Sequence, residues 1–502
     1  ENWFDLNASR YTPSSTLQRM ELLKTGYMGT LSLGWDNYLF LELTGRQERS
    51  STLKDQSFFY PSANLSFLFT QAFHMPSWWN YGKLRLSYGI VGNAPETYTA
   101  NIVYEQGSDN GFTWNTIPSS WGNADIRPEK KYEYEIGLES KFLNNRLGID
   151  ISYYNNRVKD QILSTPQPST SGVKNVLMNV GEVANRGWDI SISATPILTR
   201  DFRWDLTANY GVYKNKVVKL ADGVPYLEIL NSGGSGIKIQ AVEGQPMGDI
   251  YAQVPQVNEN GEYLVSDKGL YLNQTELQKV GNINPAGVGG LFNSFSYKNV
   301  FLDFSIDFRI GGDVINEMNQ YATAVGLTPE SLKYRDTEHG GLSYYYPGDN
   351  NSSGIPVQVD PSTGAGPNGE IIYHDGIILP GVVASTGERN TRIIPAGYYY
   401  NTTYNWGTEA EQLTYRHSVF DNSYVKLREL TIGYQFPEKM ISKLGLGRLS
   451  VSVFGRNLFY FYKALKNYDA ESSVGTSWAN QATVGSSTTA TRSFGVSLRA
   501  SF

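Results

Sequence analysis

The 502-residue chain contains no cysteine, which excludes disulfides and thiolate metal sites. Histidine is scarce: His74, His339, His374 and His417 are the only four, scattered over separate connections without metal-ligand spacing, which argues against a His-based metal or acid-base centre. Charge of one sign is also lacking. With 42 basic and 48 acidic residues the net charge is -6, leaving neither a polybasic patch for nucleic acid nor an acidic tail. No apolar run reaches the roughly 18 residues of a membrane helix, and no phosphate-binding glycine loop is present. The chain opens ENWFDLNASR, without the charged start and apolar core of a signal peptide. The stretches NENGE (258–262) and DPSTGAGPNGE (360–370) lack the full ligand pattern of a calcium loop and read as turns. These absences point away from an enzyme and from any bound cofactor or metal.

What is abundant is β-chemistry. Tyr, Phe and Trp number 35, 22 and 10, beside 50 Gly. A mean hydropathy of -0.37 is that of a soluble protein, but a membrane β-barrel has the same average, because only alternate strand residues meet lipid and its loops are polar. The segment FLDFSIDFRI (301–310) sets Leu302, Phe304, Ile306, Phe308 and Ile310 on one face, with Asp303, Ser305, Asp307 and Arg309 on the other. Reversing that register would turn charges toward hydrocarbon, where a midplane Arg alone costs about 2–4 kcal/mol. The closing SFGVSLRASF (493–502) alternates in the same way, over a length close to the roughly 9–11 residues with which a tilted strand crosses a bilayer. The pattern predicts thirteen strands, near 24–35, 37–47, 60–71, 82–91, 131–142, 146–156, 186–195, 202–213, 289–298, 300–311, 423–436, 447–460 and 491–502.

Their connections sort by parity. The short ones are 36–37, 72–81, 143–145, 196–201, 298–299 and 437–446; the long ones are 48–59, 92–130, 157–185, 214–288, 312–422 and 465–490. An up-and-down transmembrane β-barrel has this form, with tight turns on one side of the outer membrane and large extracellular loops on the other, whereas a sandwich has no reason to sort its connections. Aromatics at strand ends (Tyr153, Tyr154, Trp204, Tyr434, Phe436 and 459–462) suit interfacial girdles. A closed single-chain barrel requires an even strand count, since an open edge leaves backbone groups unpaired in lipid. The odd count and the absent signal peptide together lead to the expectation that the sequence lacks an N-terminal part.

The motif series strongly resembles the C-terminal half of the SusC/RagA family of TonB-dependent outer-membrane transporters of Bacteroidetes. The matching stretches are LRLSYGIVGN (84–93), RPEKKYEYEIGLESKFLNNRLGIDISYYNNRVKDQIL (127–163), NVGEVANRGWDISISATP (179–196), EGQPMGDIYA (243–252), GGLFNSFSYKN (289–299), SYVKLRELTIGYQFP (423–437), GRNLF (455–459) and the final SFGVSLRASF. One departure is NYDAES (467–472), where the family more often has Pro after the Asp. The resemblance implies that residues 1–502 are the C-terminal portion of a 22-strand barrel, with an N-terminal plug and TonB-contacting segment not in this sequence and a SusD-like surface lipoprotein as lid. It also makes the terminal Phe502 part of a barrel-assembly signal, compatible with a plainer role as the last lipid-facing residue of its strand.

For ligand binding the candidates are aromatics amid Asn, Ser and Gly in the long loops: Trp114, Trp121, Tyr344, Tyr345, Tyr346, Tyr399 and Trp406. Flat rings stack on sugars or peptide side chains while amides and hydroxyls adapt their hydrogen bonds. The alternative is that these rings pack the loops together or bury against the lid. The expected function is TonB-energised import of oligosaccharides or peptides, with a passive porin, or a surface adhesin or structural barrel, as alternatives.

Overall fold

In a computed structural model of the chain, every predicted strand is present, and all thirteen belong to one antiparallel sheet in which each lies beside its neighbour in sequence. They are β1 (Lys24–Trp35), β2 (Leu39–Ser50), β3 (Ser57–Phe67), β4 (Trp79–Asn93), β5 (Glu129–Phe142), β6 (Leu147–Lys159), β7 (Glu182–Leu198), β8 (Phe202–Lys219), β9 (Gly287–Tyr297), β10 (Val300–Ile310), β11 (Tyr424–Gln435), β12 (Arg448–Lys463) and β13 (Ser493–Ser501). The structure describes residues 19–54, 57–109, 112–166, 170, 172–232, 236–348, 354–405, 414–442, 445–473, 475–485 and 490–501. Phe502 and Trp406 lie outside the described residues. Contacts group the chain into two units, Glu1–Phe67 with Arg85–Glu135 and Asn156–Val183, and Leu68–Leu84 with Ile136–Asn155 and Ala184–Phe502.

In the first unit the register of β1, β2 and β3 assembles like with like. Leu31 pairs with Leu43 and Leu43 with Ala63, while Leu33 pairs with Leu41 and Leu41 with Leu65. Between these rows, on the opposite face, Ser32 pairs with Glu42 and Glu42 with Asn64, whose Nδ2 donates to the Glu42 carboxylate at 3.4 Å. The β1–β2 connection is tight because Asp36 and Asn37 both take positive φ (45° and 56°), as the central residues of a turn closed by the Tyr38 amide donating to the Trp35 carbonyl at 3.2 Å.

The second unit extends the pattern across six strands. Trp204, Phe295, Leu302, Ile432, Val453 and Val496 form one continuous row from β8 to β13, each paired with the next. One residue away along β9 and β10 the opposite face carries Ser294 and Asp303, joined by a 2.6 Å hydrogen bond. Asn293 is the polar exception on the apolar face. It stands between Leu206 and Phe304, buried, and accepts a 3.1 Å hydrogen bond from the indole of Trp204, which is itself stacked on Phe295. Trp204, assigned from sequence to a strand-end girdle, thereby also neutralises the polar cost of Asn293.

Two boundaries differ from expectation. Pairing of β2 with β3 continues to Arg49 and Ser57, so the connection 51–56 is shorter than 68–78, and strict sorting of connections by length fails at this place. The polar end of β2 is stabilised instead by local partners: Glu48 is buried and accepts hydrogen bonds from Arg46 at 2.5 and 2.9 Å. In addition, β7 and β8 run to 17 and 18 residues. At about 3.3 Å per residue a strand of that length exceeds the roughly 30 Å of hydrocarbon even when tilted, so polar ends carry the ladder onward into water.

Ile306 lies in an apolar row between Leu291 and Leu427. Ile306→Lys is expected to cost about 2–4 kcal/mol at mid-membrane and to abolish insertion, seen as loss of the heat-modifiable band on gels; normal assembly would place this face away from lipid.

Candidate functional site

The long connections build their own cores, and the composition of those cores shows which connections meet. In the second unit one cluster takes Ile237, Ile239, Ile250, Ala252 and Ile283 from the connection 220–286, Ile315, Tyr415 and Val419 from 311–423, and Ala479 and Ala482 from 464–492. Backbone bonds join the last two: the amide of Val484 donates to the Ile315 carbonyl at 2.8 Å. The connections after β8, β10 and β12 therefore share a single apolar centre, which demands that they leave the sheet at one edge. In the first unit Leu53, Phe58 and Ile126 pack with Ala94, Ala100, Ile162 and Leu177, uniting in the same way the connections after β2, β4 and β6. Parity of connection is thus expressed in packing.

Within 311–423 the tyrosines are structural neighbours of one another. Tyr344 is 1% exposed and clusters with Tyr346 and Ile393. Its hydroxyl donates to Asp375 at 3.1 Å, and its ring stacks on Tyr373 with centroids 5.5 Å apart. Tyr345 is half-buried. Tyr399 is half-buried against Leu270, Ile377, Leu379 and Ile394 and tilts on Tyr400 at 5.1 Å. Burial pushes the phenols of Tyr344 and Tyr399 far above their ordinary pKa. Trp121 is half-buried, edge-on to Tyr104 at 6.0 Å, in a short strand paired in parallel with Asn175 and Val176. Trp114 is different: on the hairpin Glu105–Asp109 and Phe112–Thr116 it remains 46% exposed beside the still more exposed Phe112 and Tyr104. The described aromatic candidates thus divide: Tyr344, Tyr345, Tyr346 and Tyr399 lie buried or half-buried in the loop bodies of one unit, while in the other Trp121 is half-buried and Trp114 stands exposed on its hairpin.

The histidines do not converge. His339 bonds Asp336 at 2.7 Å, His374 bonds Ser343 at 2.9 Å, and His417 stacks on Tyr404 with centroids 4.3 Å apart. Burial, with the Arg416 charge beside it, pushes the His417 imidazole down to about 4, so it is neutral near pH 7.

A charged cluster not anticipated from the sequence sits at the end of β10–β12. The β11–β12 ladder pairs Leu427 with Phe459 and then Glu429 with Arg456, leaving Arg428 unpaired in a bulge opposite Asn457, whose φ is +54°. Freed from the ladder, Arg428 donates to Asp307, to Asn457 at 3.0 Å and to both oxygens of Glu471 at 2.5 and 2.8 Å. Lys426, 1% exposed, donates to Glu471 at 2.5 Å and sits over the Tyr460 ring at 4.8 Å. A charge so buried persists only when paired. The Arg428 hydrogen bonds, reinforced by Lys426, hold the Glu471 carboxyl down at about 2. A signal was present: in SYVKLRELTIGYQFP the apolar positions are 425 and 427, then 430 and 432, a slip of parity that a bulge must absorb.

An apolar-out, polar-in antiparallel sheet with loop assemblies gathered at one edge is the form of an outer-membrane receptor barrel. Residues 4–242 match the family model described as TonB dependent receptor-like, beta-barrel. The chain is 24% identical over 494 residues to TonB-dependent receptor P3 of Formosa agariphila, covering 89% of this chain and 42% of that protein. Over 247 residues it is 30% identical to TonB-dependent receptor SusC of Bacteroides thetaiotaomicron, covering 45% and 24% respectively. The solved structure of the RagAB peptide transporter superposes with a TM-score of 0.67 at 19% identity, covering 94% of this chain and 48% of that one. The chain is thus similar to the β-barrels of TonB-dependent outer-membrane receptors, SusC among them, and shares the fold of the RagAB structure. It spans about half or less of the length of the relatives it matches.

The two shifted groups predict an order of acid opening. A neutral His417 is favoured by the fold, so stability falls as pH drops from its ordinary 6.5 toward about 4. Glu471 has a depressed folded pKa, so its contribution is complete above its ordinary 4.5 and is lost progressively as pH falls from there through about 2. Hydrogen exchange, corrected for intrinsic rate, should show 396–405 and 414–421 loosening before 464–473; the reverse order would contradict these assignments.

Proposed function

We propose that the chain is the barrel portion, residues 1–502, of an energy-coupled outer-membrane importer. Substrate, an oligosaccharide or a peptide, is captured outside the cell by the long loops near 92–130, 214–288 and 312–422 together with a SusD-like lipoprotein lid. TonB, pulling on a plug in the barrel lumen, opens the path inward. The observation that carries this reading is the convergence of alternate connections into shared cores, which gathers large loop bodies at one edge of a membrane-spanning sheet. Further support comes from the family match and from the neighbour described as a peptide transporter. In this reading Trp114 and Trp121, with Tyr345, Tyr399 and Trp406, are candidates to line the vestibule; Tyr344 and Tyr346, being buried, would act by shaping the loop beneath it. Phe502 serves as the assembly signal read when the barrel is inserted.

Uptake in cells carrying the complete transporter should vanish when TonB is deleted, while binding at the cell surface persists. Undiminished uptake would favour the passive porin, as would a steady conductance of the purified protein in planar bilayers.

A further inference from the structure

Five consecutive residues, Asn467 to Glu471, each hold a group on another element. Asn467 Nδ2 donates to Asn319 Oδ1 at 3.0 Å and toward Glu330 at 3.4 Å, reaching the helix Glu317–Ala324 and the turn after it in the connection 311–423. The Tyr468 carbonyl accepts from Lys463 Nζ at 2.6 Å. Asp469 Oδ1 accepts from the Tyr460 hydroxyl at 2.8 Å and from the amide of Glu471 at 2.9 Å. The Ala470 carbonyl accepts from Asn422 Nδ2 at 2.9 Å. Glu471 receives Arg428 and the buried Lys426. Three of these five residues, Tyr468, Asp469 and Glu471, hold groups on the strands β11 and β12, and the other two, Asn467 and Ala470, hold groups on the connection 311–423.

We propose that Asn467–Glu471 is a polar latch that ties the connection 311–423 to the sheet through β11 and β12, with Glu471 as its closing residue. Three observations argue against incidental packing. The ladder gives up regular pairing at Arg428 to aim that side chain at the latch. Lys426 is buried where Glu471 is its partner, so opening the latch would strand a desolvated cation. The contacts are almost wholly hydrogen bonds and ion pairs, directional enough to fix one position rather than a family of sliding ones. In an importer, a loop body fixed in this way meets the substrate in a set geometry and transmits displacement of the strands; this consequence rests on the function proposed above, whereas the latch itself does not.

The test uses the complete protein in intact outer membranes. Glu471→Gln should raise the rate of protease cleavage within 311–423 at least tenfold without loss of the heat-modifiable band, and Glu471→Asp should give an intermediate rate. Because residues 1–502 contain no cysteine, Asn319→Cys with Asn467→Cys, with any cysteine outside this stretch replaced by Ser, provides a unique pair, and a short bis-maleimide bridging them should restore protection in the Glu471→Gln background. Should Glu471→Gln fail to insert, Tyr460→Phe with the same crosslink carries the test. Wild-type protection in the variants, or cleavage that the crosslink does not slow, would overturn the latch. Loss of protection in a protein that imports nothing would instead count against the importer and leave the latch standing.

Discussion

A strand in hydrocarbon has nowhere to place its amide and carbonyl groups except against another strand, and every other feature of this chain follows from that requirement. Pairing must be continuous, so the strands follow one another across the sheet in sequence order. Side chains then alternate between two solvents, so a register error of one residue would exchange Leu302, Phe304 and Ile306 for Asp303, Ser305 and Asp307. The cross-strand row from Trp204 to Val496 is this constraint made visible, since six strands agree on which face is apolar. Where the rule is broken, at Asn293, a tryptophan N–H supplies the missing partner.

Once the strands are committed, the connections inherit their geometry. Antiparallel neighbours send every second connection to the same edge, and at that edge water permits large bodies of ordinary globular chemistry. Isoleucines from 220–286, Ile315 from 311–423 and alanines from 464–492 make one such core. The sheet thus uses its apolar residues facing outward, and the loops use theirs facing inward. A protein of modest mean hydropathy accommodates both because the two demands fall on different segments.

Much of this was legible in the sequence because period-two alternation is a strong and repetitive signal. All thirteen strands could be read, and FLDFSIDFRI fixed its own phase. The ends were less legible. The tail of β2, with Arg46 to Arg49, continues pairing through polar residues whose partners lie on β3, so no apolar pattern marks it. Loop aromatics were the least legible: YYYPGDN reads equally as a binding loop and as a packed one, and only the position of Asp375, Tyr373 and Ile393 buries Tyr344 and Tyr346. The Arg428–Glu471 contact joins residues 43 apart across a bulge and could not be paired from sequence, although the slip in alternation at Leu427–Leu430 marked the place.

The central claim, that the apolar rows face lipid, is tested most directly by single spin labels at 302 to 308 in the reconstituted full-length protein. Labels replacing Leu302, Phe304, Ile306 and Phe308 should be open to membrane-dissolved oxygen and shielded from a water-soluble paramagnet, with the reverse or immobile behaviour at Asp303, Ser305 and Asp307. Uniform accessibility along the strand, or an oxygen maximum at the odd-numbered positions, would contradict the account.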